Sequence, residues 1–326
     1  MKQHVFERQT GARWQTFELM LAKLAKTDST PTLEALDAAD FPHLYRHICH
    51  DLALARDRHY STYLIDRLNR LATLGHQYLY QSRRSQNAHL INFIAAEFPS
   101  LIRQHAKVFL LAMALFYVPL FGLGLLTYFL PETAYTVLNL EMMTEMEALY
   151  DPSQGKIGRT RESDTDFMMF GYYIKHNIAI GFQTFAWGIV FGLGAVFLLM
   201  FNGIIIGVVA GHLTVIGSGV TFYPFVIGHG AFELTAITLS GMAGLHLGFS
   251  LLAPGRRTRV HALQDAAKVS AKIIYGATAM FFIAAFIEAF WSSRADLPDG
   301  LKYTVGGILW LMVFSYLLLA GRQRGT

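Results

Sequence analysis

The stretch Gly228-His229-Gly230-Ala231-Phe232-Glu233-Leu234 places two ionisable side chains four residues apart in sequence that otherwise reads as lipid-soluble. Side chains at i and i+4 share one helix face. Polar groups at membrane depth are costly, so such a pair is a functional candidate by default. The surrounding tract opens at Ile174-Lys175-His176-Asn177-Ile178, passes through Asn202-Gly203 and closes on Pro254-Gly255-Arg256-Arg257.

Composition points the same way. Of 326 residues, 53% are hydrophobic and only 15% charged, against about 25% charged in ordinary soluble chains. Apolar runs long enough to cross about 30 Å of hydrocarbon recur along the chain. The expected fold is all-α: a polytopic membrane protein with about six transmembrane helices and an N-terminal cytoplasmic helical domain. Residues 1–106 form that domain and residues 107–326 the membrane domain. The spans are placed at 108–130, with Pro119 as a kink, then 178–200, 203–218 (short), 227–252, 271–291 and 303–320. Lys2, Glu7, Arg8, Arg13 and Glu18 make the first residues unlike a signal peptide. The single Cys49 leaves no intramolecular disulfide.

In the first domain, Phe6, Trp14, Phe17, Leu21 and Leu24 recur near helical spacing. Breaks are expected at 27–31 and 83–87, and helix starts at Phe41-Pro42 and Phe98-Pro99, the latter running through Arg103 and Lys107 into the first span. Leu44, Ile48, Leu52 and Ala55 line one face, and Leu64, Leu68, Leu71 and Leu74 another. Asp51, Arg56, Arg67 and Asn69 read as an internal polar network, or else as a partner-docking surface. His43, His47 and His50 have the spacing of a metal face, but no cysteine or second histidine pair completes a ligand set. Solvated histidines are therefore expected, and no metal site or cofactor.

Basic residues set orientation. The first 107 residues hold 14 Lys and Arg; Arg256, Arg257, Arg259, Lys268 and Lys272 crowd one later link, and Arg322 and Arg324 follow the last span. In a six-span arrangement these fall on one side, the cytoplasm, with both termini there. The link at 131–177, extracytoplasmic in that arrangement, carries eight acidic against four basic residues. Residues 139–149 are helix-compatible, with Leu140, Met143 and Met146 on one face, and 151–155 is a break. Residues 165–173 suit an amphipathic cap on the membrane surface, or a lid packed on the protein's own helices.

Gly188 and Gly192, the run Gly203, Gly207 and Gly211, and Gly244 and Gly248 are small-xxx-small ridges that let helix backbones approach. They suit packing within the chain, and leave a homodimer open. The intramembrane polar set is Asn177, Asn202, His212, His229, Glu233, His246 and Glu288. Glu288 has a plain alternative, snorkelling to the interface. His229 and Glu233 either handle a proton, an ion or a headgroup, or satisfy broken backbone beside Gly217-Ser218-Gly219. The arrangement lacks the His-Glu-x-x-His spacing of a metalloprotease, any Gly-x-Ser-x-Gly elbow and any Walker loop.

The chain resembles the stage II sporulation protein M family of bacterial membrane proteins over nearly its whole length. The resemblance rests on Lys2-Gln3 with Phe6-Glu7, Leu44-Tyr45-Arg46, Asp51 with Ala55-Arg56, Leu68-Asn69 with His76, and Glu97-Phe98-Pro99. It continues in residues 172–178, Phe201-Asn202-Gly203, His229 to Leu234, Gly241 with Gly244-Leu245, and Pro254-Gly255-Arg256. Two positions depart from the family's usual pattern: His176 before Asn177, and Gly228 before His229. The resemblance implies a place in an envelope complex of the bacterial cytoplasmic (inner) membrane. It also implies other envelope membrane proteins as partners, whether peptidoglycan-remodelling factors or an AAA+ ATPase system. The expected function is a non-enzymatic scaffold in the lipid bilayer, with no nucleic-acid partner. The alternative is a transporter or channel for an ion, small solute or lipid that uses the His229/Glu233 pair.

Overall fold

A computed structural model describes residues 2–25, 35–154 and 163–322. Among them every regular element is helical. The expected break at 27–31, residue 155 of the break at 151–155, and Arg324 lie outside the described residues. The chain divides into two compact units, residues 1–92 and 93–326. The division falls before 106 because the helix opened by Phe98-Pro99 packs with the membrane helices.

The first unit consists of α1 (Gln3–Ala25), α2 (Ala35–Asp57) and α3 (Thr62–Asn92). Its core joins Phe6, Trp14, Phe17 and Leu21 of α1 to Phe41, Ile48, Leu52 and Ala55 of α2 and Leu64, Leu68 and Leu71 of α3. Leu74 stays exposed. The buried Asp51 accepts from Trp14 Nε1 at 2.9 Å and from Arg13 at 3.4 Å. Arg67 forks onto Glu18 at 2.9 and 3.0 Å, and its guanidinium lies 5.8 Å from the Trp14 ring centre. Arg56 and Asn69 form a separate exposed pair. Two expectations are corrected. α2 begins before Phe41-Pro42 and carries Pro42 inside it. α3 runs unbroken through 83–87, where arginine and glutamine are good helix formers despite their polarity.

The second unit starts with a π-helical turn, Phe93–Glu97, and α4 (Phe98–Gln104). His105, at φ −108°, ψ 31°, separates α4 from α5 (Ala106–Phe129), so the expected continuous helix is broken there. α6 (Thr133–Val137) and α7 (Leu140–Leu149) follow. Next come α8 (Ser163–Ala186), α9 (Leu193–Val215), α10 (Gly219–Leu252), α11 (Arg259–Ile287) and α12 (Asp299–Leu319). Among the described residues five helices, α5 and α9 to α12, are long and apolar enough to cross a membrane.

Close approaches give each helix a direction. Glycines at 203, 207 and 211 of α9 lie on the carbonyls of Phe116, Leu120 and Gly124 of α5, so the two run parallel. α10 runs back against α9, with Gly241 under Leu199. α11 is antiparallel to α10, Ser270 Oγ donating to Ala243 O at 2.9 Å. α12 runs with α10, Trp310 Nε1 donating to Ile227 O at 3.2 Å. At one end of the bundle, the near end, Arg103 donates to Leu317 O and Ala320 O at 2.8 and 2.7 Å, closing the last turn of α12. α5 finishes at the opposite, far end, and α9 starts again at the near end. The 24-residue α8 makes the return. Phe167 packs edge-on and Phe170 at a tilt against Phe290 of the turn ending α11, and Gly188, just past the end of α8, lies on Gly244. Among the described residues the chain thus traverses the bundle six times, with α10 buried at its centre.

The traversals sit differently from the expected second to fourth spans. The 178–200 tract is broken: Trp187–Ile189 is one 3-10 turn, and Phe191 and Gly192 take φ 52° and 81°. Gly188 and Gly192 therefore line a tight turn seated on Gly244 and Gly248; a Cβ at Gly188 or Gly248 would strike backbone, while Gly192 is held to glycine by its left-handed φ. Overpacking of that kind costs about 1–3 kcal/mol. α9 spans 193–215, and the break before α10 falls at 216–218, with Gly217 at φ 84°. Residues 165–173 do not lie flat on a surface. They form the first half of α8, with Phe170 ringed by Phe282, Phe286 and Phe290.

Candidate functional site

α10 begins at Gly219, earlier than the expected 227, so Glu233 lies about 21 Å along it at 1.5 Å per residue. His229 precedes it by one turn. Its ring is almost wholly buried, and the Glu233 side chain is 19% exposed. His229 Nε2 and a Glu233 carboxylate oxygen are 3.9 Å apart, too far for a hydrogen bond. The other ring nitrogen, Nδ1, is 3.0 Å from Ser292 Oγ.

Ser292 and Glu288 belong to a π-helical turn that ends α11. Such turns widen the helix and are frequent at functional sites. This one brings Glu288 to α10, where one ligand atom each of His229, Glu233 and Glu288 lies within 4.8 Å of the others. Asn177 of α8 is 2% exposed and lies beside Glu288. Its Nδ2 and Glu288 Oε2 are buried without a hydrogen-bond partner. Buried polar atoms of this kind are rare and call for an explanation. Lys302, 2% exposed in the first turn of α12, donates to Ser292 O at 3.1 Å.

The connection after α5 covers the cluster. Tyr150, at the C-terminal end of α7, packs edge-on against Phe222 and Phe225, and Phe225 packs edge-on against His229. Thr221 Oγ1 donates to Tyr150 O at 2.5 Å. Glu147 meets His212 Nε2 at 2.7 Å, clamping α7 to the end of α9. Asn139 caps α7 by accepting from Met142 N. Burial first, and then the Glu288 carboxyl, the Tyr173 phenol and the Glu233 carboxyl, push the Tyr150 phenol above its ordinary range.

The structure brings together only part of the sequence-derived set. Asn177, His229 and Glu233 converge. Asn202 instead donates to Leu198 O on its own helix. His246 lies about 25 Å farther along α10 at 1.5 Å per residue, its ring 4.5 Å from that of His105. Glu288 does not snorkel outward; it is 9% exposed and completes the cluster. Ser292, Lys302 and Tyr150 escaped the sequence reading, since each sits at the end of an element remote in sequence, whereas Glu288 stood in the intramembrane polar set with snorkelling as its alternative. The one available signal was a lone carboxylate, Glu288, near the end of an apolar run. The ridge at Gly203, Gly207 and Gly211 is taken up by α5, and that at Gly244 and Gly248 by the turn at 187–192.

Chemically, an imidazole and two carboxylates can hold protons or a cation. The Ser292–His229 pair has the make-up of a nucleophile and base, but Ser292 is 1% exposed. A cavity of about 540 Å³ lies elsewhere, between α5 and α12, lined by Met113, Ala114, Tyr117, Phe121, Trp310 and Phe314.

This architecture defines a multi-pass α-helical membrane protein with a capped polar cluster inside its bundle. The family model for Stage II sporulation protein M matches residues 106–293, and the chain belongs to that family. A second model, a Domain of unknown function (DUF8413), matches residues 4–81 in the first unit. Neither the curated proteins nor the solved structures contain a match.

Proposed function

We propose that the protein is a non-enzymatic scaffold of an envelope complex in the bacterial cytoplasmic membrane, with both termini in the cytoplasm. The observation that carries this reading is the α6–α7 platform. It is fastened to the bundle through Glu147–His212 and Thr221–Tyr150, yet leaves Tyr135 66%, Leu140 72% and Leu149 50% exposed. Rigid apolar side chains held out at one end of a bundle suit docking of another protein. Arg256, Arg257, Arg259, Lys268, Lys272 and Arg322 gather at the near end, which favours that end as cytoplasmic. The platform would then face peptidoglycan-remodelling factors, and the N-terminal unit an AAA+ ATPase system. A photo-crosslinker at Leu140 or Leu149 in native membranes is expected to capture a second envelope protein. Capture of nothing, or of this chain alone, would sink the scaffold reading and in the latter case favour a homodimer.

A second reading, transport of an ion, small solute or lipid, draws on the unpartnered Glu288 and Asn177 beside His229 and Glu233. It predicts that Glu233→Gln lowers flux in proteoliposomes. Unchanged flux in a folded variant would rule it out.

A further inference from the structure

We infer that His229, Glu233 and Glu288 form a binding site for one divalent first-row transition cation, Zn2+ or Mn2+, in the far half of the bundle. The inference stands apart from the scaffold reading and survives its failure.

Three observations carry it. The first is spacing. A metal centre with bonds of about 2.0–2.2 Å sets its ligand atoms roughly 3–4 Å apart. His229 Nε2 and Glu233 Oε2, at 3.9 Å, are too distant to bond each other and close enough to share an ion. The Glu288 oxygen completes a three-ligand group within 4.8 Å, so its carboxylate closes in by about 1–2 Å when the ion enters.

The second is the surrounding shell. Metal-bound histidines engage their other ring nitrogen with a neighbouring polar group, which fixes the ring. Ser292 Oγ does this at His229 Nδ1, at 3.0 Å, and leaves Nε2 to ligate. Phe225 on the ring and Tyr150 above it exclude water from that side.

The third is an unmet polar demand. Glu288 Oε2 and Asn177 Nδ2 are buried side by side, close enough to interact, yet neither makes a hydrogen bond of good geometry. Asn177 is placed to donate to a carboxylate oxygen or to a water on the ion. A buried carboxylate beside a half-buried one is stabilised by positive charge, and a divalent ion supplies two units of it. An imidazole nitrogen in the set favours a transition ion over Mg2+ or Ca2+, which take oxygen ligands.

The test uses the full chain purified in detergent, stripped with a chelator and dialysed against micromolar Zn2+ or Mn2+. Bound metal is read by elemental mass spectrometry and the thermal midpoint by helical circular dichroism. Wild type is expected to take up one ion per chain and to melt higher with it. Glu288→Gln and Glu233→Gln, checked for monodisperse elution and helix content, are expected to lose at least tenfold in affinity and the upward shift. A His43→Ala/His47→Ala chain, which removes the histidine pair of the first unit, is expected to bind as wild type. The inference is overturned if wild type takes up neither ion, or only at millimolar concentration, which would leave a protonated cluster. It is equally overturned if both carboxamide variants bind as wild type. If one carboxamide variant misfolds, wild-type binding by the other alone overturns the inference.

Discussion

The two ends of α10 each present a histidine to a neighbouring element, and the outcomes differ. At the near end His246 meets His105 edge-on and stays partly exposed, among polar groups that have partners: Arg103 on two carbonyls, Lys272 on Glu97. In the far half His229 is buried with two carboxylates, and polar atoms beside it have no partner. Motif spacing cannot separate these cases, since both histidines sit in equally apolar sequence. What separates them is the neighbour: a short connection at one end, and at the other a π-turn that turns Glu288 and Ser292 inward.

The comparison can be broken by replacing each histidine with alanine. His229→Ala removes the group between Ser292 and Glu233 and leaves buried carboxylates behind, so a loss of about 2–4 kcal/mol is expected. His246→Ala should cost about 1 kcal/mol or less. Equal losses in reversible unfolding in mixed micelles would erase the distinction. Arg103→Ala comes next, removing charged hydrogen bonds to the end of α12, with an expected loss of about 1.5–3 kcal/mol. A melt unchanged by that substitution would show that α12 needs no closure there.

Tyr150 sharpens the far side of the comparison in alkali. Its phenol is held above the ordinary value of about 10. The neutral form is therefore favoured in the folded protein, and the unfolded chain ionises first. Stability from this group is complete below about pH 10 and falls as pH rises beyond it. Wild type should loosen above that point more steeply than Tyr150→Phe, monitored by proteolysis within α7; parallel profiles would remove Tyr150 from the account. The smallest effect belongs to Lys272→Ala. The Lys272–Glu97 pair is about half exposed, so about 0–1 kcal/mol is expected, vanishing in high salt.

Much of this was legible in advance. Helix type, the two-part chain and the pairing of His229 with Glu233 follow from apolar runs and i, i+4 spacing. The turn at 187–192 was not legible, because glycines in an apolar run read equally as a helix ridge, and the left-handed Phe191 leaves no mark in sequence. The two readings of Glu288, cluster member or snorkelling carboxylate, stayed open for a related reason. A carboxylate near a span end usually reaches for water, and only the π-turn directs this one inward.

The polar middle of α8 has one more consequence. Lys175-His176-Asn177 leaves the ribosome before α10 and α11 exist, and those are the helices that enclose Asn177. When α8 first meets the insertion machinery, nothing made so far can shelter its amide. The polar contact of Asn177 with Glu288 therefore forms only when the last turn of α11 is in place, so this part of the bundle is completed by the finished chain.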